Sequence, residues 1–248
     1  MQIKYMDWRS DQDFEEEHLA MTYHLNSNHY PQLDVLTRSR MNMLKNLFMQ
    51  MNQVVTPAKR YYAAERFKAD ELYQEGHPYI AELIASLEKL QRTAVPFWDF
   101  ESLNNLGPTD KLDALDLYFL SKSQTGGNYE LFYYSPVEKF VEYVKEEEDP
   151  RWWSKAYDKS LEFHDGDLAL FITANMNRSI RLFGERGYRL CMLEGGRLTE
   201  RLVRSSQEGG GSSLVPVMTF YDKPVQELLG VDGYYDVVLS SLIFRGEE

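Results

Sequence analysis

The stretch Leu182–Gly196, LFGERGYRLCMLEGG, decides how this chain is read. Followed a little further, Cys191, Gly195, Leu198 and Leu202 fall on one helical stripe, so its second half is expected to start a buried helix. Its first half sets Arg186 and Arg189 around Gly187 and Tyr188, and two readings compete. The arginines hold an anion, or they pair with the chain's own carboxylates, Glu185 and Glu194 among them. With 39 acidic residues against 27 basic ones, ion pairing is the reading favoured by the residues alone.

Working outward, DLALFITAN (167–175) reads as a buried strand. LDLYFL (115–120) and NYELFYY (128–134), joined by SKSQTGG, read as a hairpin with a glycine-bearing loop. YYDVVLSSLIF (234–244) is a last strand, and SQEGGGSSL (206–214) a loop. Behind Pro78, the stripe Ile80, Leu83, Ile84, Leu87 and Leu90 marks the clearest helix. Ser135-Pro136-Val137-Glu138 has the form of a capping box and is expected to open a helix over VEKFVEYVKEEE, ending before Asp149-Pro150. Nearer the N-terminus, Ser10 and Asp13 look like a helix cap, and Leu36, Met43, Leu44, Leu47, Phe48 and Met51 make a broad apolar stripe in which methionine is core filler. Helices mixed with antiparallel hairpin signals give an α+β class around one sheet, with no internal repeat. The expected organisation is a helical N-terminal extension over 1–75 and one larger domain over 76–248.

Composition narrows the function. A formal charge of −12 with acidic runs at 15–17 and 146–148 argues against a nucleic-acid binder. No apolar run is long enough to span a membrane, and the acidic N-terminus is unlike a secretory signal, which points to the cytosol. The single cysteine, Cys191, is expected to be packing. The five histidines show no metal spacing beyond His24 and His29 in a turn, and Gly209–Gly211 lacks the lysine and hydroxyl of a phosphate loop, so no metal is expected. Trp152-Trp153 lines a groove or, more ordinarily, packs on the sheet.

The order of motifs resembles the flavin-dependent azoline dehydrogenases of the streptolysin and microcin type, within the nitroreductase superfamily. The resemblance is carried by Gly184, Glu185, Arg186, Gly187, Tyr188 and Arg189, with Glu194 and Gly196 behind them. MTYHLNS (21–27), KRYYAAERF (59–67) and the 115–136 hairpin follow the family's order. It implies a nitroreductase-like fold with a mostly antiparallel central sheet flanked by helices, FMN at a dimer interface, and oxidation of thiazolines and oxazolines to thiazoles and oxazoles. The rings lie in a ribosomal precursor peptide, where a cyclodehydratase makes them. Arg92, Thr93, Arg186 and Arg189 are the cofactor-binding positions the resemblance suggests.

The catalytic positions depart from the family. Its proton-handling Lys-Tyr pair falls on Leu182 and Phe183, and neither can carry a proton. Arg181 and Arg178 are poor bases because a guanidinium stays charged, leaving Tyr188 and His24 as substitutes. Asp110-Lys111 stand after Pro108, where glycines would let the backbone approach a flavin ring. Two functions therefore stand side by side: an FMN-dependent azoline dehydrogenase, homodimeric or heterodimeric, and a catalytically degenerate subunit that scaffolds or pairs with an active dehydrogenase in a peptide-modifying complex.

Overall fold

The computed structural model describes residues 23–24, 59, 61, 64–93, 114–122, 128–134, 139–149, 151–158, 163, 166–183, 185–208 and 214–245, without the side chains of 89–93, 181–183 and 208. The helices expected after Ser10 and across 33–51, the Pro108–Lys111 window, the Ser135–Glu138 box and Gly209–Gly211 lie outside the described residues.

The elements run β1 (Arg66–Phe67), α1 (Glu71–Gln74), α2 (Pro78–Thr93), β2 (Leu115–Lys122), β3 (Tyr129–Tyr134), β4 (Val141–Glu147), α3 (Trp152–Ala156), β5 (Leu168–Asn175), α4 (Met176–Phe183), α5 (Arg186–Glu208), β6 (Leu214–Val217), α6 (Asp222–Leu229) and β7 (Asp236–Phe244). The seven strands form one sheet in the order β1-β4-β3-β2-β5-β7-β6, and every pairing is antiparallel. The expected hairpin is present, with Leu117 opposite Tyr134 and Leu120 opposite Leu131.

Strand alternation divides the core in two. Leu115, Leu117, Phe119, Phe132, Leu170 and Ile172 face a layer that includes α2 and α5. Tyr118, Leu120, Leu131, Tyr133, Ala169 and Phe171 face the other way, toward α3 and α6. Strands β2 and β5 are covered on both faces, which is why they read as unbroken apolar runs. The α2 stripe behaves as its spacing demands, with Ile80, Leu83, Ile84 and Leu87 all buried, each contributing about 1.5–3 kcal/mol of transfer free energy. Trp152 is buried against Tyr129, Phe163, Tyr157 and Phe171, so it is packing and not a groove wall. Cys191 is buried in the α2–α5 core.

One expectation is overturned. The helix expected over VEKFVEYVKEEE is the strand β4, paired with β3 along its length and with β1 at its start. Lys139 has φ 59, a left-handed conformation that a helix through this point cannot contain. Val141, Tyr143 and Val144 also favour a pleated surface over a helix. Glu142, which reads as a helix's solvent face, is buried and held by Arg66 and by the Tyr61 amide. Strand β1 and helix α1 precede position 76, yet β1 extends the sheet and Leu72 of α1 is fully buried in the core.

Candidate functional site

The quoted stretch folds as a tight joint between α4 and α5. Gly187 stands in the first turn of α5, and a Cβ there would lie 2.7 Å from the backbone of Ser179 in α4. The Ser179 hydroxyl donates to the Gly187 carbonyl at 2.8 Å, so this glycine exists to let two helices touch. Gly195 approaches β7 in the same way, where a Cβ would meet the Leu239 side chain at 2.5 Å. Gly196 faces open space.

The first turn of α5 presents Arg186 and Arg189, both half-buried, and Tyr188, which is exposed. Two residues from far upstream come to this turn. The Tyr23 ring packs edge-on to Tyr188 with centroids 5.0 Å apart. Arg189 donates to the His24 carbonyl at 3.2 Å and approaches the His24 Nδ1 at 3.4 Å. A guanidinium only donates, so Nδ1 is the acceptor in that contact. Glu194 pairs with Arg197 at 3.5 Å.

Among the expected site residues, then, His24, Tyr188 and Arg189 are brought together, with Arg186 on the same turn. Arg181, Leu182 and Phe183 occupy the end of α4, and Arg92 and Thr93 end α2, but their side chains lie outside the described residues. Arg178 is placed elsewhere. It is buried, and its Nη1 donates to Asp116 Oδ1 at 3.0 Å, which also accepts from Tyr133 at 2.9 Å. Burial pushes the Asp116 carboxyl up, against the opposing pull of Arg178 and Tyr133. That pair fixes α4 to β2.

Beside it runs a second polar group that the sequence reading did not assemble. Lys59 donates to the Tyr118 hydroxyl at 2.9 Å and lies 3.4 Å from Asp236, Tyr61 and Tyr118 share a hydrogen bond at 2.8 Å, and Asn175 donates to Asp236 at 2.7 Å. Burial raises the pKa of the Tyr61, Tyr118 and Tyr133 hydroxyls, so all three stay protonated at neutral pH. For the neighbouring Arg178 pair the available signal was Asp116, a carboxylate inside the apolar run LDLYFL, since a charge in a buried strand requires a partner.

The donor set of the α5 turn fits an anionic phosphate: two guanidinium groups at the positive end of a 23-residue helix. Of the expected proton-handling positions, Leu182 and Phe183 have no proton to exchange, and Arg178 is fixed in its ion pair.

No protein-family model matches the chain. It is 25% identical over 120 residues to a protein of Methanocaldococcus jannaschii assigned as a nitroreductase, a match covering 48% of this chain and 60% of that relative. A solved structure from Anabaena variabilis, also assigned as a nitroreductase, superposes with a TM-score of 0.62 at 17% identity, covering 93% of this chain and 47% of the other. The Escherichia coli microcin synthetase complex McbBCD, solved with truncated pro-MccB17 bound, gives a TM-score of 0.48 at 16% identity over 55% of this chain and 53% of the other. The chain thus spans about half to three-fifths of the length of the two nitroreductase-assigned proteins. Its α+β architecture is nitroreductase-like.

Proposed function

We propose that this chain is a catalytically degenerate nitroreductase-fold subunit that works beside an active, FMN-dependent azoline dehydrogenase in a peptide-modifying complex. The complex would include a cyclodehydratase and act on a ribosomal precursor peptide. The observation that carries this reading is the joint between α4 and α5, which keeps Arg186 and Arg189 on the first turn of α5 while Leu182 and Phe183, at the positions of the family's proton-handling pair, carry no titratable group. Arg186 and Arg189 would hold the FMN phosphate, with Arg92 and Thr93 as further proposed contacts. Bound FMN supplies the hydride acceptor of such a reaction. What this chain's residues supply is charge compensation, plus a rigid helical joint against which a second subunit can close.

A second reading keeps the dehydrogenase activity in this chain, in a homodimer, and is favoured by the convergence of His24 and Tyr188 on the same turn. In that reading His24 and Tyr188 are the groups that reach the reacting ring, and the base comes from a partner subunit.

The visible spectrum separates the two. The purified chain alone is expected to be colourless and to acquire flavin absorbance only after mixing with an active dehydrogenase. Stoichiometric FMN and turnover of an azoline peptide by the lone chain would establish the second reading instead. In whichever state flavin is held, Arg186→Ala is expected to lower its retention, and unchanged FMN content would remove Arg186 from the cofactor.

A further inference from the structure

The end of the sheet where β2 and β7 begin carries a binding arrangement that the reading above leaves unused. The Lys59 ammonium sits in a box of defined chemistry. It donates to Tyr118 Oη at 2.9 Å and faces Asp236 Oδ2 at 3.4 Å. It lies 5.5 Å from the centroid of the Tyr61 ring and 5.6 Å from that of Tyr118. A phenol oxygen, a carboxylate and two aromatic faces are the elements by which proteins recognise ammonium groups. Two of the walls belong to the sheet and not to the lysine's segment: Asp236 is oriented by Asn175, and Tyr118 packs on Tyr133, which is pinned to Asp116; the third, Tyr61, lies two residues from the lysine and bonds Tyr118. The box is also open to water, since the Lys59 side chain is 24% and that of Asp236 20% exposed.

The lysine's segment meets the sheet at the Tyr61 amide, which donates to the Glu142 carboxylate, and at the Glu65 carbonyl, which accepts from the Tyr143 amide.

We infer that Tyr61, Tyr118 and Asp236 form a primary-ammonium site filled by the chain's own Lys59, which a ligand ammonium displaces. The ligand group is a primary amine, from either a lysine side chain or a peptide N-terminus. The inference stands whether or not the chain works with flavin. An internal occupant makes such a site selective, because only a ligand that gains further contacts elsewhere outcompetes the tethered lysine.

The test uses thermal melts of the full chain. Lys59→Ala is expected to lower the Tm by about 2–4 °C, and propylammonium chloride to recover at least half of that loss, whereas sodium chloride at equal ionic strength and tetraethylammonium do not. The double variant Lys59→Ala/Asp236→Ala should show no such recovery. If Lys59→Ala does not fold unaided, its refolding yield with propylammonium against sodium gives the same readout. Nα-acetyl-lysinamide and glycinamide then distinguish the two amine sources, the better stabiliser naming the one the box accepts. Absence of recovery by any primary amine, or equal recovery by sodium, overturns the proposal.

Discussion

At the scale of single residues, the three helical glycines of GERGYRLCMLEGG look alike in sequence and differ completely in space. A methyl group at Gly187 would meet Ser179 backbone at 2.7 Å, and backbone cannot rotate away. At Gly195 the neighbour is the flexible end of Leu239, and at Gly196 nothing lies within 4 Å. Gly187→Ala is therefore expected to destabilise the fold by about 1–3 kcal/mol, while Gly196→Ala stabilises it by about 0.5–1 kcal/mol through helix propensity and reduced unfolded-state freedom. Urea denaturation of the two variants checks the contrast, and equal behaviour would mean that α4 and α5 do not touch as described. Sequence showed that glycines mattered here, but not which one, because close approach is a property of two segments together. Arg178 illustrates the same limit: its pairing with Asp116 joins positions 62 apart in sequence.

At the scale of elements, the strands β2, β3, β5 and β7 and the helix α2 were legible because burial on one or both faces imprints itself on composition. Strand β4 was not. Its first residues follow a capping-box signature and its end is a run of glutamates, both helix-like features, while its partners β1 and β3 lie at distant sequence positions. Helix α4 is the element on which the candidate site depends, and it is tied to the sheet by charge as much as by apolar contact. Arg178 is 8% and Asp116 3% exposed at the side chain. Asp116→Ala leaves a buried guanidinium without its carboxylate and is expected to cost about 3–5 kcal/mol, whereas Asp116→Leu with Arg178→Met should cost far less or nothing. A double-mutant cycle by chemical denaturation measures the difference. Additive costs would show that the pair is not coupled.

At the scale of the whole molecule, the sheet's two helical layers share strands β2 and β5, so the layers cannot be separated without dismantling the sheet. The α+β class followed from mixed helical and hairpin signals, and the nitroreductase-like fold was implied by the resemblance at Gly184–Arg189. The expected division falls at residue 75. The described contacts across that position are specific. Leu72 is fully buried beneath the sheet, Phe67 pairs with Val141, and Arg66 and Tyr61 together satisfy the buried Glu142. A truncated chain beginning at residue 76 would expose the edge of β4 and leave Glu142 without its partners, while a chain beginning at residue 54 would keep both. The expected outcome is that the 54–248 form unfolds cooperatively in urea and the 76–248 form is destabilised by at least about 3–5 kcal/mol, the cost typical of leaving one buried charge unpaired, or aggregates through its open strand edge. Circular dichroism melts and size-exclusion chromatography of the two forms decide it. An equally stable, monomeric 76–248 form would make residues 59–75 an accessory segment, and the sheet from β4 to β6 a self-sufficient unit.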